Sequence, residues 1–249
     1  MSYTNRYTAF IDILGFKELI RRSESDVTIQ QMLSQVMNYL AGIRNENYEK
    51  KMSDIGKEVS VFSDSVVISW DGNCPGGGFY TLMDLIFICN ALLTVGIFVR
   101  GGISYGGLIH DHEGARCYGP AMVSAYLLES NNAIYPRILV DTSVFEASFR
   151  NPGRANTPSM ELEYLAGLVV KSKLDGLYYL NYLAQPNEFD SPQEYYEHIQ
   201  RTRTHIITNL MSSRGNHRVY SKYTWFRDYF NSCIVQVYSD LSPLLIPLE

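Results

Sequence analysis

Two short apolar segments near the N-terminus each contain a single aspartate. Ala9–Phe16 has the sequence AFIDILGF and contains Asp12, and Val59–Trp70 has the sequence VSVFSDSVVISW and contains Asp64. The density of Val, Ile and Phe in both runs predicts core strands. A charged carboxylate is costly to bury without a cation, so the two acids are expected to meet at a divalent metal. The alternative is that both are turn or helix-capping aspartates.

The hydrophobic pattern along the rest of the first half predicts alternating strands and helices. A glycine, Gly96, stands where a left-handed residue ends a helix. The predicted elements are a strand over Tyr7–Ile13, a helix over Thr28–Arg44, a long strand or hairpin over Val59–Phe62 and Val66–Trp70 with Asp64 at its bend, a buried helix over Phe79–Val95 and a strand over Phe98–Ile109.

The second half continues this alternation and then becomes helical. Ser191, followed by Pro192 and by Glu194 three residues on, forms a capping box that predicts a helix start. The predicted elements are a helix over Pro120–Ser130, a strand over Ile138–Val140, a hairpin within Leu162–Tyr182 turning at Asp175-Gly176, and helices from Ser191 to about Arg214 and over His217–Tyr238. The order predicts an α/β fold with a ferredoxin-like sheet.

Composition narrows the partners and the compartment. The chain has 249 residues, of which 46% are hydrophobic and 19% charged, and its net charge is −5. An acidic protein lacks the basic face that duplex DNA or RNA needs, so no nucleic acid partner is expected. The four cysteines have no C-x-x-C spacing and no secretory signal is evident, which favours a cytoplasmic location. The apolar stretch Leu85–Val99 is too short to span a bilayer, so no membrane is expected.

A phosphate group would fit the turn that follows the first predicted strand. Gly15 allows a tight turn, and backbone N–H groups at Gly15 and Phe16 would face an anion at the start of a helix. The carbonyl of Ile13 is the obvious backbone ligand for a metal held by Asp12 and Asp64. Lys17, Arg21 and Arg22 are weaker phosphate candidates that solvation of a helix face also explains. The Gly-rich loop Asp71–Gly78 lacks the pattern of a phosphate-binding loop.

Four motifs together resemble a known family. FIDILGF, FSD at the start of a strand, RGGISYG and YGPAMVSAYLLES are similar to the catalytic domain of class III nucleotidyl cyclases, and most similar to the bacterial pyrimidine cyclases of Pycsar antiphage systems. The resemblance covers about residues 5–185. It implies a ferredoxin-like domain that works as a head-to-tail homodimer, uses Mn²⁺ or Mg²⁺ in a two-metal site, and signals to a separate effector that responds to a cyclic nucleotide.

The sequence departs from the purine cyclases of this family at three positions. The helix that carries an Asn and an Arg in those enzymes has Val123 and Leu127 at the corresponding places, and the lysine that helps read adenine falls at Ser60. The resemblance therefore argues against a standard adenylyl cyclase. Arg100, which begins a Gly-rich strand, is the candidate substitute for the missing catalytic cation. An ordinary strand-end arginine is the alternative.

The remaining candidates concern the nucleotide base. Tyr48, Ser60 and Tyr105 are candidate base contacts through stacking or hydrogen bonds, although each is also compatible with a structural role. Phe10 is a further candidate for a contact with the substrate. His110-Asp111-His112-Glu113 invites a metal-site interpretation, but no cysteine or third histidine supports zinc, so a solvated loop is expected.

We therefore expect a catalytic domain over residues 1–185 and a C-terminal helical extension over residues 186–249. The expected activity is conversion of UTP, or CTP, into the 3′,5′-cyclic monophosphate and pyrophosphate, as a second messenger in antiphage defence. A non-catalytic nucleotide-binding module and a related cyclic-dinucleotide synthase are the alternatives.

Overall fold

The centre of the molecule is an antiparallel sheet with a ferredoxin-like strand order. In this computed structural model, residues 2–43, 56–111, 116–238 and 243–247 are described. The central strands pair in the order β2-β3-β1-β4 and all three pairings are antiparallel. A β-α-β-β-α-β chain with this order is a split β-α-β unit, which confirms the predicted fold class. Its elements are β1 (Thr4–Ile13), α1 (Phe16–Ser23), α2 (Val27–Gly42), β2 (Glu58–Phe62), β3 (Ser65–Asp71), α3 (Gly77–Thr94) and β4 (Val99–Asp111).

The second half of the chain extends this sheet and adds helices. Strand β6 pairs in parallel with β4. Beyond β6 the sheet continues with β8 and then β7, and β5 pairs with the far end of β4. The elements are β5 (Arg116–Tyr118), α4 (Pro120–Asn132), β6 (Ile138–Val140), α5 (Thr142–Arg150), α6 (Pro158–Leu168), β7 (Val169–Lys171), β8 (Tyr178–Leu180), a 3-10 turn (Pro186–Glu188), α7 (Pro192–Ser213) and α8 (His217–Val237).

Side-chain parity divides the sheet into a core face and an open face. Alternate residues of β1, namely Tyr7, Ala9, Ile11 and Ile13, are buried in the main hydrophobic core. Arg6, Thr8, Phe10 and Asp12 therefore point to the other face, because successive strand residues alternate. Helix α3 lies in the core; among the described residues it is the one helix long and apolar enough to cross a membrane by length and composition, and 72% of that window is buried in the protein.

Local capping explains several element boundaries. Gly96 is left-handed with φ 79°, where α3 was predicted to end. The hydroxyl of Ser191 accepts a hydrogen bond from the Glu194 N–H at 3.2 Å, so the predicted helix start at this position is confirmed. A cap of this kind supplies a partner for an N–H that has none inside the helix.

Three sequence-based element predictions are wrong in part. Residues 162–168, predicted as a strand, belong to α6, because Thr157 caps that helix by accepting from the Met160 N–H at 3.2 Å. The hairpin itself is present as β7 and β8, with Gly176 left-handed in its turn. Helix α5, capped by Asp141, and the short strand β5 were not predicted.

The C-terminal helices share the core of the sheet. Phe226 and Phe230 of α8 and Ile199 of α7 are fully buried in the same cluster as the strands. Phe98, at the start of β4, packs edge-on against Tyr223 and Phe226, with ring centroids 5.2 and 4.9 Å apart. Helix α8 therefore lies beside the point where β4 begins.

Candidate functional site

The two aspartates lie at the same end of the sheet, Asp12 on β1 and Asp64 in the turn that leads into β3. Asp12 is paired in register with Ser65 of β3 on one side and with Arg100 of β4 on the other. Asp64 stands in the turn between β2 and β3, and its carbonyl accepts a hydrogen bond from the Ile13 N–H at 3.0 Å. The structure thus brings Asp12, Ile13 and Asp64 together at the end of β1.

The turn that holds Asp64 has an unusual backbone. Phe62 and Ser65 are cross-strand partners, so only two residues connect β2 to β3. The first of them, Ser63, is the one non-glycine residue with positive φ in the described part of the chain, at 58°. Two-residue hairpin loops favour this left-handed conformation because it matches the twist of the strands. The predicted bend at Asp64 is therefore a tight hairpin.

Arg100 lies between two acidic side chains. Its Nε donates to Asp12 Oδ2 at 2.8 Å, and its Nη2 forms an ion pair with Glu129 Oε1 at 3.0 Å. Arg100 is 27% exposed, whereas the Asp12 and Glu129 side chains are 15% and 4% exposed. The cation predicted from the Gly-rich strand is thus placed directly beside Asp12, and both acids hold its guanidinium in place.

Glu129 and Lys222 belong to the same cluster, and sequence reasoning missed both. Glu129 lies on α4, whose residues Ala121, Ala125 and Glu129 are buried at four-residue spacing. That spacing was a usable signal for an inward-facing acid. Lys222 lies on α8, half-buried and next to Tyr223, which packs on Phe98. No local pattern marks Lys222, because only the packing of α8 brings it to the strands.

Burial and mutual charge set the protonation behaviour of the cluster. Burial raises the pKa of Asp12, and the negative charge of Asp64 raises it further. The hydrogen bond from Arg100 lowers this pKa and so offsets part of the effect. Burial also raises the pKa of Glu129, whereas the positive charge of Arg100 lowers it. Burial lowers the pKa of Lys222, and the nearby charge of Arg100 adds to this effect. The cluster contains three acids and two bases, so its formal charge is negative. The five groups are Asp12, Asp64, Glu129, Arg100 and Lys222.

The donor set fits a hard divalent cation, provided that other oxygens complete it. Among the described residues there is no group of three or more His, Cys, Asp or Glu side chains that could hold a metal ion. The chain therefore offers two carboxylates, Asp12 and Asp64, and the backbone at Ile13. Mg²⁺ and Mn²⁺ accept such sparse protein ligation because water and substrate phosphates supply the remaining oxygens.

The start of α1 adjoins this cluster. Gly15 precedes α1 with φ 77°, a left-handed conformation that favours glycine, and no side chain caps the helix. The Glu18 and Leu19 N–H groups donate to the Gly15 carbonyl at 3.0 and 3.1 Å, whereas the Phe16 N–H precedes any intrahelical acceptor and suits an anion. Arg21 is exposed and pairs with Glu18 at 2.6 Å, so the structure explains it as a helix-surface ion pair.

The predicted substrate contacts separate into two faces. Phe10 and Ser60 share the open face with Asp12, since Ser60 pairs with Val67 and Val67 pairs with Phe10. Tyr105 pairs in register with Tyr7 and packs on its ring at 4.9 Å, so it lies on the core face and does not belong to this site. Tyr48 lies outside the described residues.

His110 is a cross-strand hydrogen-bonding residue rather than part of a solvated loop. Its Nε2 lies 2.9 Å from Ser60 Oγ and its Nδ1 lies 2.8 Å from Ser69 Oγ. It is on β4 with Asp111, whereas His112 and Glu113 lie outside the described residues. The loop prediction is therefore wrong for His110, because the two serine hydroxyls provide partners across the sheet.

Helix α4 covers the β4 side of the face that carries Phe10 and Asp12, and Thr8 and Val67 on the same face are also fully buried. It packs closely because a side chain at Gly102 would come within 2.6 Å of the Ala125 carbonyl oxygen. Val123 and Leu127 point outward, 55% and 47% exposed. Tyr126 packs edge-on against Phe10 at 5.3 Å. This helix therefore presents an apolar surface next to the acidic cluster.

Comparison with known proteins gives a limited result. No protein-family model matches the chain, and no curated protein matches it. Among solved structures, the chain is similar to a bacterial light-regulated adenylyl cyclase at 15% identity and a TM-score of 0.46, over 80% of this chain and 98% of that one. A second structure of a bacterial light-regulated adenylyl cyclase gives 14% identity and a TM-score of 0.46, over 81% of this chain and 59% of that one. We transfer no residue role from either structure.

Proposed function

We propose that the protein is a nucleotidyl cyclase that converts a pyrimidine nucleoside triphosphate into its 3′,5′-cyclic monophosphate and pyrophosphate. The observation that carries this proposal is the meeting of Asp12, Asp64 and Arg100 at one end of a ferredoxin-like sheet. Two acids beside a cation suit the binding of a metal–triphosphate complex. The sequence motifs that resemble class III nucleotidyl cyclases support the same activity.

Each group has a distinct task in this proposal. Asp12, Asp64 and the Ile13 carbonyl would hold Mg²⁺ or Mn²⁺, which when bound would make the 3′-hydroxyl more acidic and neutralise charge on the leaving pyrophosphate. Arg100 holds the Asp12 carboxylate in position and places positive charge beside the reacting phosphate. The N–H groups at Gly15 and Phe16 orient the phosphates.

The proposal extends to the assembly and to the biological role. The apolar surface formed by Phe10, Val123, Tyr126 and Leu127 lies next to the acidic cluster, and a second copy of the chain would cover it in a head-to-tail homodimer. Between the two pyrimidines we favour UTP as substrate. The product would act in the cytoplasm as an antiphage second messenger, read by a separate effector.

A specific observation favours one rival. Arg100 is engaged by both Asp12 and Glu129, and α4 has the apolar residues Val123 and Leu127 where the purine enzymes of the resembling family carry an Asn and an Arg. A protein with this arrangement could bind a metal–nucleotide complex without turning it over. The rival is therefore a non-catalytic nucleotide-binding module.

The deciding experiment is a nucleotide panel. The protein is incubated with ATP, GTP, CTP or UTP and Mn²⁺, and products are separated against cyclic mononucleotide and dinucleotide standards. We expect a cyclic pyrimidine mononucleotide and pyrophosphate, both absent with Asp12→Asn. Asp84→Asn is the matched control, since Asp84 is also a partly buried, ion-paired acid but contacts Lys57 and Trp70 instead. Binding without product would establish the rival, and a dinucleotide product would replace the proposed reaction.

A further inference from the structure

A cavity of about 440 Å³ opens at the edge of the sheet, between the β7–β8 hairpin and helix α8. In the sheet order, β8 lies three strands away from β1, which carries Asp12, and β7 is the last strand. Three strand spacings amount to about 14 Å. The described residues that line this cavity are distinct from those of the acidic cluster. The cavity is therefore a separate feature, of a size that takes small-molecule ligands.

Aromatic side chains form one wall of this cavity. The ring of Tyr179 packs edge-on against Trp225 with centroids 5.4 Å apart, and Trp225 stacks on Tyr229 at 5.8 Å. Behind this wall, Tyr135 stacks on Trp225 at 5.4 Å, and the Arg137 guanidinium lies 5.5 Å from the centre of the Trp225 ring. All these contacts come from the protein itself, so the wall is preformed for a planar group.

A buried amide lies at the inner end of the cavity. Asn181 is 3% exposed and lines the cavity together with Tyr229 and Cys233. Its Oδ1 accepts a hydrogen bond from the Tyr229 hydroxyl at 3.3 Å and from the Cys233 thiol at 3.6 Å. Its Nδ2 has no hydrogen-bond partner among the described residues. Because buried N–H groups need an acceptor, this end of the amide suits a ligand.

Tyr229 fixes which end of the Asn181 amide faces the cavity. The Leu183 N–H donates to the Tyr229 hydroxyl oxygen at 3.0 Å, and the hydroxyl hydrogen is directed at Asn181. Tyr229 is buried, so this hydrogen needs an acceptor, which the amide oxygen supplies and the amide nitrogen does not. The open end of Asn181 is therefore a donor, and it suits a carbonyl oxygen.

The rim of the cavity carries positive charge. Lys173, in the turn of the hairpin, is exposed and lines the cavity. Asp228 is an acid on the same rim, but its carboxylate accepts from Nε and Nη2 of Arg227 at 3.0 and 2.9 Å. Since this arginine neutralises Asp228, the ammonium of Lys173 remains to attract an anion.

We propose that this cavity binds a planar heterocyclic anion. Its ring would lie against Tyr179 and Trp225, a carbonyl oxygen of the ring would accept from Asn181 Nδ2, and its negative charge would lie toward Lys173. Each of the three features on the page answers one part of such a ligand. The proposal goes beyond the cyclase reaction, because the cavity lies apart from the groups assigned to that reaction.

Binding is measured by calorimetry and by tryptophan fluorescence, in EDTA so that no metal–nucleotide complex forms at Asp12. The chain has two tryptophans, and Trp70 is fully buried with its Nε1 donating to Asp84, so Trp225 reports on the cavity. The probes are UMP and orotate, which combine a planar ring, carbonyl oxygens and negative charge. Uridine lacks the charge and ribose 5-phosphate lacks the ring. We expect UMP or orotate to bind and change the fluorescence, and the other two to bind at least about tenfold more weakly.

Two variants test the contacts. Asn181→Asp keeps the oxygen that accepts both internal hydrogen bonds and replaces only the donor end, so it should weaken binding by about tenfold or more. Lys173→Gln, at an exposed position away from the core, should weaken binding by about threefold. Lys171→Gln is the matched control, because the Lys171 ammonium lies over the Tyr178 ring at 5.4 Å, on the opposite face of β8 from Tyr179.

The outcomes separate this inference from the proposed function. If neither UMP nor orotate binds, or if Asn181→Asp and Lys173→Gln both bind as the wild type does, the inference is overturned. It is also overturned if Asp12→Asn, rather than Asn181→Asp, abolishes binding, because the probe then occupies the proposed nucleotide site. Binding that persists in Asp12→Asn supports the inference even when the nucleotide panel yields no cyclic product.

Discussion

Removing the charge of Arg100 should destabilise the protein and make it more responsive to divalent metal. Arg100→Met keeps most of the side-chain volume but leaves Asp12 and Glu129 without their shared cation. Breaking a buried ion pair by removing one partner costs about 3–5 kcal/mol. Because Arg100 is 27% exposed and Asp12 15% exposed, solvent screens part of this interaction, and we expect a loss of about 1–3 kcal/mol.

The assay is thermal unfolding with and without Mn²⁺. For a chain of this size the expected loss lowers the melting temperature by roughly 5 °C. Mn²⁺ should then raise the melting temperature of Arg100→Met more than that of the wild type, because the ion no longer competes with the guanidinium for Asp12 and stabilises whichever state binds it. Cyclase activity should be lost, since the guanidinium also acts on the phosphate.

Arg201→Met is the control for the loss of an arginine. Arg201 forms an exposed ion pair with Glu197 on α7, at 3.4 Å, and its removal should leave the melting temperature and the Mn²⁺ response unchanged. A second comparison uses the double variant Arg100→Met with Glu129→Gln, which should recover part of the lost stability. If Arg100→Met melts at the wild-type temperature and shows the wild-type response to Mn²⁺, the reasoning on this cluster is refuted.

Three further predictions address two members of this cluster, Asp64 and Lys222, and a buried histidine of α7, His198. Asp64→Asn should reduce activity by about 10²-fold or more while the melting temperature stays the same or rises, since repulsion with Asp12 is relieved; full activity would remove Asp64 from the site. Lys222→Met should lower kcat/KM about tenfold and Lys222→Arg should restore it, as expected for a charge that acts on phosphate; equal effects of both variants would contradict this. Burial lowers the pKa of His198 from 6.5 to about 4. Between these pH values His198 is unprotonated in the folded state but takes up a proton in the unfolded state. Stability is therefore lost as the pH falls from 6.5 toward 4. In denaturant unfolding, the free energy of unfolding of the wild type should fall by about 3 kcal/mol over that pH range, and that of His198→Gln should lack this loss. Parallel pH profiles of the free energy of unfolding in the two proteins would contradict this prediction.

Much of the fold and part of the site follow from local patterns. Short apolar runs, a capping serine at Ser191 and a terminating glycine at Gly96 each act within a few residues, so their effect can be read before folding is considered. The same holds for Asp12, because an acid in an apolar strand requires a partner wherever the strand lies. Asp64 lies at the bend that the pattern predicted between two apolar runs. The resemblance of the motifs then indicated the strand order that the structure has.

Errors arose where two local patterns compete. Residues 162–168 alternate well enough for a strand, but Thr157 and Pro158 start a helix that includes them. Short apolar segments do not distinguish a strand from a helix by periodicity alone. The position of Tyr105 depended on strand register, since a shift of one residue moves a side chain to the opposite face.

The sequence by itself determined the alternation of strands and helices and predicted a cation beside the two acids, Asp12 and Asp64. Only the tertiary structure decided which cations stand beside those acids and how His110 is oriented. Glu129 and Lys222 reach Asp12 and Arg100 from helices far away along the chain, and His110 reaches Ser60 across two strands. Contacts of this kind depend on how the elements pack against one another, and no pattern within a single element records that packing.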